Sequence, residues 1–497
     1  FIDRMVESLA EKGQARSDQR SENRIAPEEF ECASRIVIRE FGPRAIGNLL
    51  TGSTGAAESA DFDEVAAALS LALRSCVDLD KFATTTTTVP PTPEPTSPDH
   101  DMEETMAEQD LGLIAHLMRR AGFGATREEL ERYVAKGYDA TVEELINPPD
   151  DMPAGNMTLL LRYMPGCLLP GGVPQPGQYN WMYNMITTKR PLEEKVALFW
   201  HQVFATGNSK VDNCDQMLEQ LVMFRKYGMG NYRDMLVAVS QNPAMIFWLD
   251  NNENHAHAVN ENWGRELLEL FTLGVGNYTE TDVREASRAF TGWTIEPKLP
   301  RFHMGRWDWY FEYRADDHDD GEKTFLGRTG DFNGEDIIDI ILEEPATAQF
   351  IARHLYSFFV SDEVQVPAWS VTPPADPEAV DTLAKVMIES DYDMRLTMNV
   401  LLNSNFFKAA QFTKIKNPTE VVVGTLRLVG DAELPSPNSF EWSNQIMYMG
   451  QDLLNPPSVE GWHYGPEWVN SGLLMTRTNF VADMLSETDR PGVRTII

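Results

Sequence analysis

The chain has 497 residues, 42% of them apolar and 10% aromatic, which is too rich for a mainly disordered protein and enough for two or three domains or one large one. Its 42 basic and 76 acidic residues leave a formal charge of −34, which argues against nucleic acid or an anionic membrane surface as the principal partner. No apolar run reaches the roughly eighteen residues that a transmembrane helix requires.

The chain opens on Phe1 rather than methionine, which fits a processed or truncated start. Residues 1–82 read as a small helical unit, with one amphipathic helix over 27–38 and another over 61–76. A bridge between Cys32 and Cys76 would staple two helices that are too few to make a core alone. Residues 83–101 are a Thr/Pro tract, a stiff extended spacer that buries nothing and is typical of exported, often O-glycosylated stalks. Cys167 and Cys214 are the remaining pair, so the cysteine count suits two disulfides in an exported protein, with four buried thiols as the alternative.

From residue 102 to 497 the pattern predicts one large, mainly α domain. Helical periodicity marks 103–120, 126–136, 140–146, 190–204, 215–227, 231–240, 260–273, 280–290, 335–342, 345–360, 377–389, 393–403 and 418–429. Thr279 with Asp282 spells a capping box, and Asp331–Asp336 reads as a helix-start loop. Alternating aromatics over Arg306–Tyr313 suggest a hairpin arm.

The densest polar signal runs from Asn260 to Glu280 and on through Phe290-Thr-Gly-Trp293. At helical spacing Asn262, Arg265, Glu266 and Glu269 share one face, opposite an apolar stripe of Trp263, Leu267, Leu270 and Phe271. This is either a buried polar network or a solvated face with Arg265 and Glu269 as an ordinary pair.

Three stretches carry a family likeness: Ala115-His-Leu-Met-Arg-Arg-Ala-Gly-Phe-Gly124; the signature block with Trp200-His201, Gly230–Leu236 and Asn242–Met245; and His318–Gly327, Pro345–Ala348 and Asn455-Pro-Pro-Ser-Val-Glu-Gly-Trp-His-Tyr-Gly465. Over roughly 105–485 the chain resembles the bacterial domain-of-unknown-function family numbered eighteen hundred. The resemblance implies a largely helical, often exported protein and supplies no reaction.

The candidate chemistry therefore comes from the residues. A divalent metal could sit where His201, the signature carboxylates and His318-Asp319-Asp320 converge, although no HExxH or paired Glu-x-x-His spacing is present. His201 interrupts an apolar helix, where it is either a core residue bonded to a carbonyl or carboxylate or a base oriented by Glu266 or Glu269. His255 and His257 could chelate a surface metal or simply sit in a polar loop. The tryptophans at 293, 307, 309, 462 and 468 could stack sugar rings or cover turns.

Together these predict an exported or cell-surface protein that hydrolyses an extracellular polymer. In that reading Glu266 or Glu269 is acid or base, His201 is its partner and Arg265 holds an anionic group, while Asn262, Trp293, His318, Asp319 and Lys323 contact substrate. The alternative is a non-enzymatic structural or assembly component of the surface or matrix, which self-assembles or docks other surface proteins.

Overall fold

The computed structural model describes residues 110–168, 173–297, 308–430, 432–436 and 439–495. The expected unit over 1–82, its Cys32–Cys76 bridge and the Thr/Pro segment over 83–101 lie outside these residues. The described part is mainly helical, as the periodicity predicts, with two short hairpins.

Helix starts are written in the sequence as caps. Thr126 with Glu129, Thr279 with Asp282, Asn333 with Asp336 and Asn417 with Glu420 each form a reciprocal capping box. Prolines occupy the first turn of Pro191–Val203, Pro345–Phe359, Pro377–Glu389 and Pro418–Val429, where their missing N–H costs nothing. The expected helices from 126 onward stand within a few residues of their predicted ends, apart from a change of pitch described below, and the helix expected over 103–120 is described from 110 to 120.

Further helices appear where no periodicity was visible. Pro174–Thr187 is buried from Gly177 to Ile186, so it has no polar face to reveal a period, and its Pro/Gly-rich start reads as a loop. Met157–Tyr163, Pro243–Trp248, Phe440–Tyr448 and Ser471–Ser486 also form.

The core is built around Pro191–Val203, whose Leu198, Phe199, Trp200 and Val203 are buried. Trp200 stacks on Phe204 and Tyr232 at 5.4 and 5.5 Å, and Phe204 meets Phe271 edge-on at 5.2 Å. Phe271 in turn touches Trp263, so an aromatic chain ties the central helix to the signature segment. Tyr232 donates its hydroxyl to the Phe271 carbonyl at 2.5 Å, locking that junction.

Strands β1 (Trp293–Pro297) and β2 (Trp309–Tyr313) pair antiparallel, so the described part of the expected hairpin arm, 309–313, is a strand. Strands β3 (Lys323–Phe325) and β4 (Arg328–Gly330) close over Leu326 and Gly327, both left-handed, the geometry of a tight hairpin turn.

The expected Cys167–Cys214 disulfide does not form. Cys167 closes the 3₁₀ turn Pro165–Cys167 and Cys214 opens the helix Cys214–Tyr227; both are buried thiols. Burial pushes the Cys167 thiol up to about 11, and the Cys214 sulfur lies 3.9 Å from the Pro174 carbonyl. Each sulfur packs into the core as a small apolar group rather than cross-linking it.

The signature helix lies against Glu280–Ala289 at Gly264, where an added Cβ would sit 2.2 Å from Ser287 Oγ and 3.0 Å from the Val283 carbonyl oxygen. Only a residue without a side chain permits this approach. Gly264→Ala should therefore lower unfolding free energy by about 1–3 kcal/mol, read from urea denaturation. Unchanged stability would show that the two helices part at no cost.

Candidate active site

The signature segment changes pitch midway. Asn262–Glu266 is α-helical, and Leu267–Thr272 is a π-helical turn in which Leu273 N–H donates to the Leu268 carbonyl, five residues back, at 3.0 Å. The Thr272 hydroxyl reinforces the wide turn by donating to the Leu267 carbonyl at 2.5 Å. Trp263, Leu267, Leu270 and Phe271 are buried as the apolar stripe predicts, and Leu268 joins them. Burying consecutive leucines on a wide turn leaves Glu266 and Glu269 half-buried at its polar edge.

Two other segments complete a cleft of about 590 Å³ beside Glu269. Helix Pro345–Phe359 contributes Gln349, Phe350 and Arg353, and the 3₁₀ turn Val366–Ser370 contributes Trp369. Arg353 fixes that turn: it donates to the Thr372 and Pro373 carbonyls at 2.9 and 3.1 Å, pairs with buried Glu363 at 2.8 Å and lies 4.6 Å from the Trp369 ring centre. The Trp369 indole N–H also donates to the Val364 carbonyl at 2.8 Å, so the ring is held from two sides.

The third wall is Glu460, carried by the Asn455–Gly465 loop. Gly461 has φ +87°, and a Cβ there would stand 2.6 Å from the Gln202 carbonyl oxygen. The loop seats on the end of the central helix through that contact and through Asn208 N–H donating to the Leu454 carbonyl at 2.9 Å.

Glu269 and Glu460 thus line one edge of the cleft, and Glu266 lies behind them within reach of both charges. Burial, then the neighbouring Glu269 and Glu460 charges, push the Glu266 carboxyl up to about 7 against the opposing pull of Arg265. Arg265 does not neutralise the group, because its guanidinium is committed to Glu280 at 2.7 and 3.0 Å and to Glu261 at 3.4 Å. Glu269 accepts the Tyr278 hydroxyl at 3.0 Å. A carboxylic acid that keeps its proton near neutral pH, beside a second carboxylate, can deliver a proton and receive one.

His201 is not part of this arrangement. It is fully buried among Trp181, Phe224 and Trp462, with ring centroids 5.3, 6.3 and 5.2 Å away. Neither ring nitrogen has a hydrogen-bond partner among the described residues, and burial pushes the imidazole down to about 3. The core reading holds, but without the expected carbonyl or carboxylate, and no bond joins His201 to Glu266 or Glu269.

The His318 loop is also spent internally. Arg288 grips Asp319 at 2.7 and 3.1 Å, Lys323 donates to the Asp319 and Gly321 carbonyls at 2.5 and 3.0 Å, and His318 Nδ1 lies 2.8 Å from the Thr291 carbonyl oxygen. Asp282 accepts the Leu326 N–H at 2.8 Å, completing a clip that binds the β3–β4 hairpin to Glu280–Ala289. Trp293 is buried between Phe290 and Phe311, and Asn262 is exposed and bonded to Asp250 at 3.3 Å. His255 is tied to Asp317 at 2.5 Å.

The groups considered for a metal are thus dispersed, and no cluster of three or more His, Cys, Asp or Glu suited to a metal occurs among the described residues. Of the tryptophans singled out, Trp293, Trp462 and Trp468 are buried, Trp309 stacks on Phe247 and residue 307 lies outside the described part. Trp369, which lines the cleft, was not among them. In the sequence Glu460 is one residue of the Asn455–Gly465 motif, and nothing in that motif marks it as a wall of the cleft. Arg353 and Trp369 gave no signal either.

A family model described as "Protein of unknown function (DUF1800)" matches residues 116–495. The chain belongs to DUF1800. The match begins within helix 110–120 and contains all three walls of the cleft, so the site lies wholly inside the DUF1800 region. No curated protein and no solved structure matches the chain.

The raised carboxyl has a thermodynamic signature. Folding holds a proton on Glu266 that the unfolded chain releases in the ordinary carboxylate range, so stability falls as pH rises from that range through about 7. Glu266→Gln, which carries no charge to desolvate, should melt higher than wild type at pH 8, by the equivalent of roughly 1–2 kcal/mol for a half-buried group. The gap should close near pH 4. Parallel melting curves across that range would contradict the assignment.

Proposed function

We propose that this DUF1800 protein is an exported hydrolase of an extracellular polymer, most simply a polysaccharide. Glu266 is the proton donor to the leaving oxygen, and Glu269 is the base that takes a proton from water or the nucleophile that water later displaces. The observation that carries this reading is the half-buried Glu266 carboxyl, pushed up to about 7 by burial and by the charge of Glu269, which itself lines an open cleft. Trp369, half-buried at the cleft, gives it an aromatic side chain against which a sugar ring can pack. Glu460 and Gln349 offer hydrogen bonds to hydroxyl groups. The Thr/Pro segment supports export.

Arg265, expected to hold an anionic group, and Asp319 and Lys323, expected to contact substrate, support a second reading for the segments that bear them. Arg265 is paired with Glu280 and Asp319 with Arg288, while the Lys323 ammonium is spent on backbone carbonyls, as expected of a rigid structural or assembly component.

The full chain incubated with a panel of neutral and acidic polysaccharides should release reducing ends from at least one. Glu269→Gln should slow that release by about 10²–10⁴-fold with little change in melting temperature. The rate should fall as pH rises above about 7, where Glu266 loses its proton. No release from any polymer, or a Glu269→Gln rate equal to wild type, would sink the hydrolase and favour the structural role.

A further inference from the structure

A second polar cluster, none of whose residues lines the cleft, has the opposite charge. Glu420 is buried at its centre: its Oε1 receives Arg120 at 2.6 Å and also the Lys195 ammonium, and its Oε2 receives the Asn417 N–H at 2.9 Å. Lys414 donates to Asp362 at 3.1 Å, and the other oxygen of Asp362 takes the Ile415 N–H at 2.8 Å. Arg477, from helix Ser471–Ser486, reaches in and donates one N–H to the Lys416 carbonyl at 2.7 Å. Arg119 and Lys416 stand at the outer side, half-buried and exposed respectively.

Six cations (Arg119, Arg120, Lys195, Lys414, Lys416 and Arg477) therefore meet two carboxylates, Glu420 and Asp362, a surplus of four positive charges in a chain of net charge −34. His116 adds no charge: burial pushes it down to about 4, and its Nε2 lies 2.9 Å from the Phe407 carbonyl oxygen. Burial lowers Lys195 to about 7 and also lowers Arg119, Lys414 and Arg477, the behaviour of buried cations short of negative charge.

The donors are short of acceptors too. Arg120 Nε and both Nε and one terminal nitrogen of Arg477 are buried without a hydrogen-bond partner among the described residues, on side chains only 5% and 8% exposed. Gln451 Nε2 is in the same position; its Oε1 is taken by the Thr419 N–H and hydroxyl at 3.0 and 2.8 Å. A network placed for stability alone would balance its charge, because each uncompensated buried ion costs several kcal/mol. At the outer rim Phe412, 85% exposed and left-handed at φ +63°, covers the Arg119 guanidinium at 5.3 Å.

We propose that this cluster binds an oxyanion, the phosphate, sulfate or carboxylate group of a ligand, with Arg120 and Arg477 as its buried donors and Arg119 and Lys416 on its outer side. Guanidinium forks fit the paired oxygens of such groups, and a bound anion would satisfy the unpaired N–H groups and offset the charge surplus together.

Calorimetric titration of the full chain with inorganic phosphate, sulfate and acetate, each against a chloride control of equal ionic strength, tests this. At least one should bind saturably at one site, and the tightest of the three identifies the head group. Lys416→Gln, an exposed change that leaves the core intact, should weaken binding roughly tenfold, and Arg477→Gln should abolish it. No saturable binding beyond chloride, or unchanged affinity in Lys416→Gln, would overturn the proposal. If Arg477→Gln does not fold, Lys416→Gln decides alone. Because none of these residues lines the cleft, either outcome leaves the hydrolase reading to its own test.

Discussion

The wide turn at Leu267–Thr272 is the constraint on which the candidate site depends. A regular α-helix would carry the stripe of Trp263, Leu267, Leu270 and Phe271 into the core. The π turn buries Leu268 as well and still keeps Glu269 at the polar edge. Two contacts hold it there: the Gly264–Ser287 approach on one side, and the Tyr232 hydroxyl on the Phe271 carbonyl on the other. A π turn is less well bonded than an α turn, so it persists only where packing enforces it. Its price is offset by the aromatic chain from Trp200 through Phe204 to Phe271.

Polar groups in the fold fall into two kinds, and charge balance separates them. Arg225 with Glu194 and Arg353 with Glu363 are one-to-one pairs, and Arg288 is held by both Glu285 and Asp319; Arg225–Glu194 and Arg288–Asp319 clamp segments 31 residues apart. Two clusters are not matched. At the cleft Glu266, Glu269 and Glu460 stand together while Arg265 is engaged elsewhere. Around Glu420 six cations face two carboxylates. Unmatched charge in a half-dry setting is what shifts proton affinity and attracts ligands, whereas matched charge mainly fixes geometry.

The sequence made much of the fold legible, because amphipathic helices with caps announce themselves. Thr279 with Asp282 forms the box its spacing predicts, and the helix-start loop read over Asp331–Asp336 does start a helix, through an Asn333–Asp336 box. Pro174–Thr187 was hidden because burial on every side erases the periodic signal. The signature was legible as a dense polar face, and its Glu269 does line a cleft, with Glu266 next to it on the same turn. Their partners were not legible: Glu460, Arg353 and Trp369 reach them only through tertiary packing, from loops and helices 84–194 residues away in the chain. His201, Asp319 and Lys323 misled for one reason. A polar residue inside an apolar or glycine-rich stretch looks the same in sequence whether it serves a ligand or the protein's own carbonyls. The cysteine pair misled because counting thiols says nothing of where two sulfurs point.

The central claim is that Glu266 keeps its proton near neutral pH because burial and the neighbouring carboxylates hold it there. Carbon-13 NMR of side-chain-labelled glutamate, with Glu266 assigned by its loss in Glu266→Gln, measures that directly. The account requires a titration near 7 that moves down when Glu269 or Glu460 is replaced by glutamine. A midpoint in the ordinary carboxylate range, unmoved by either replacement, would contradict it.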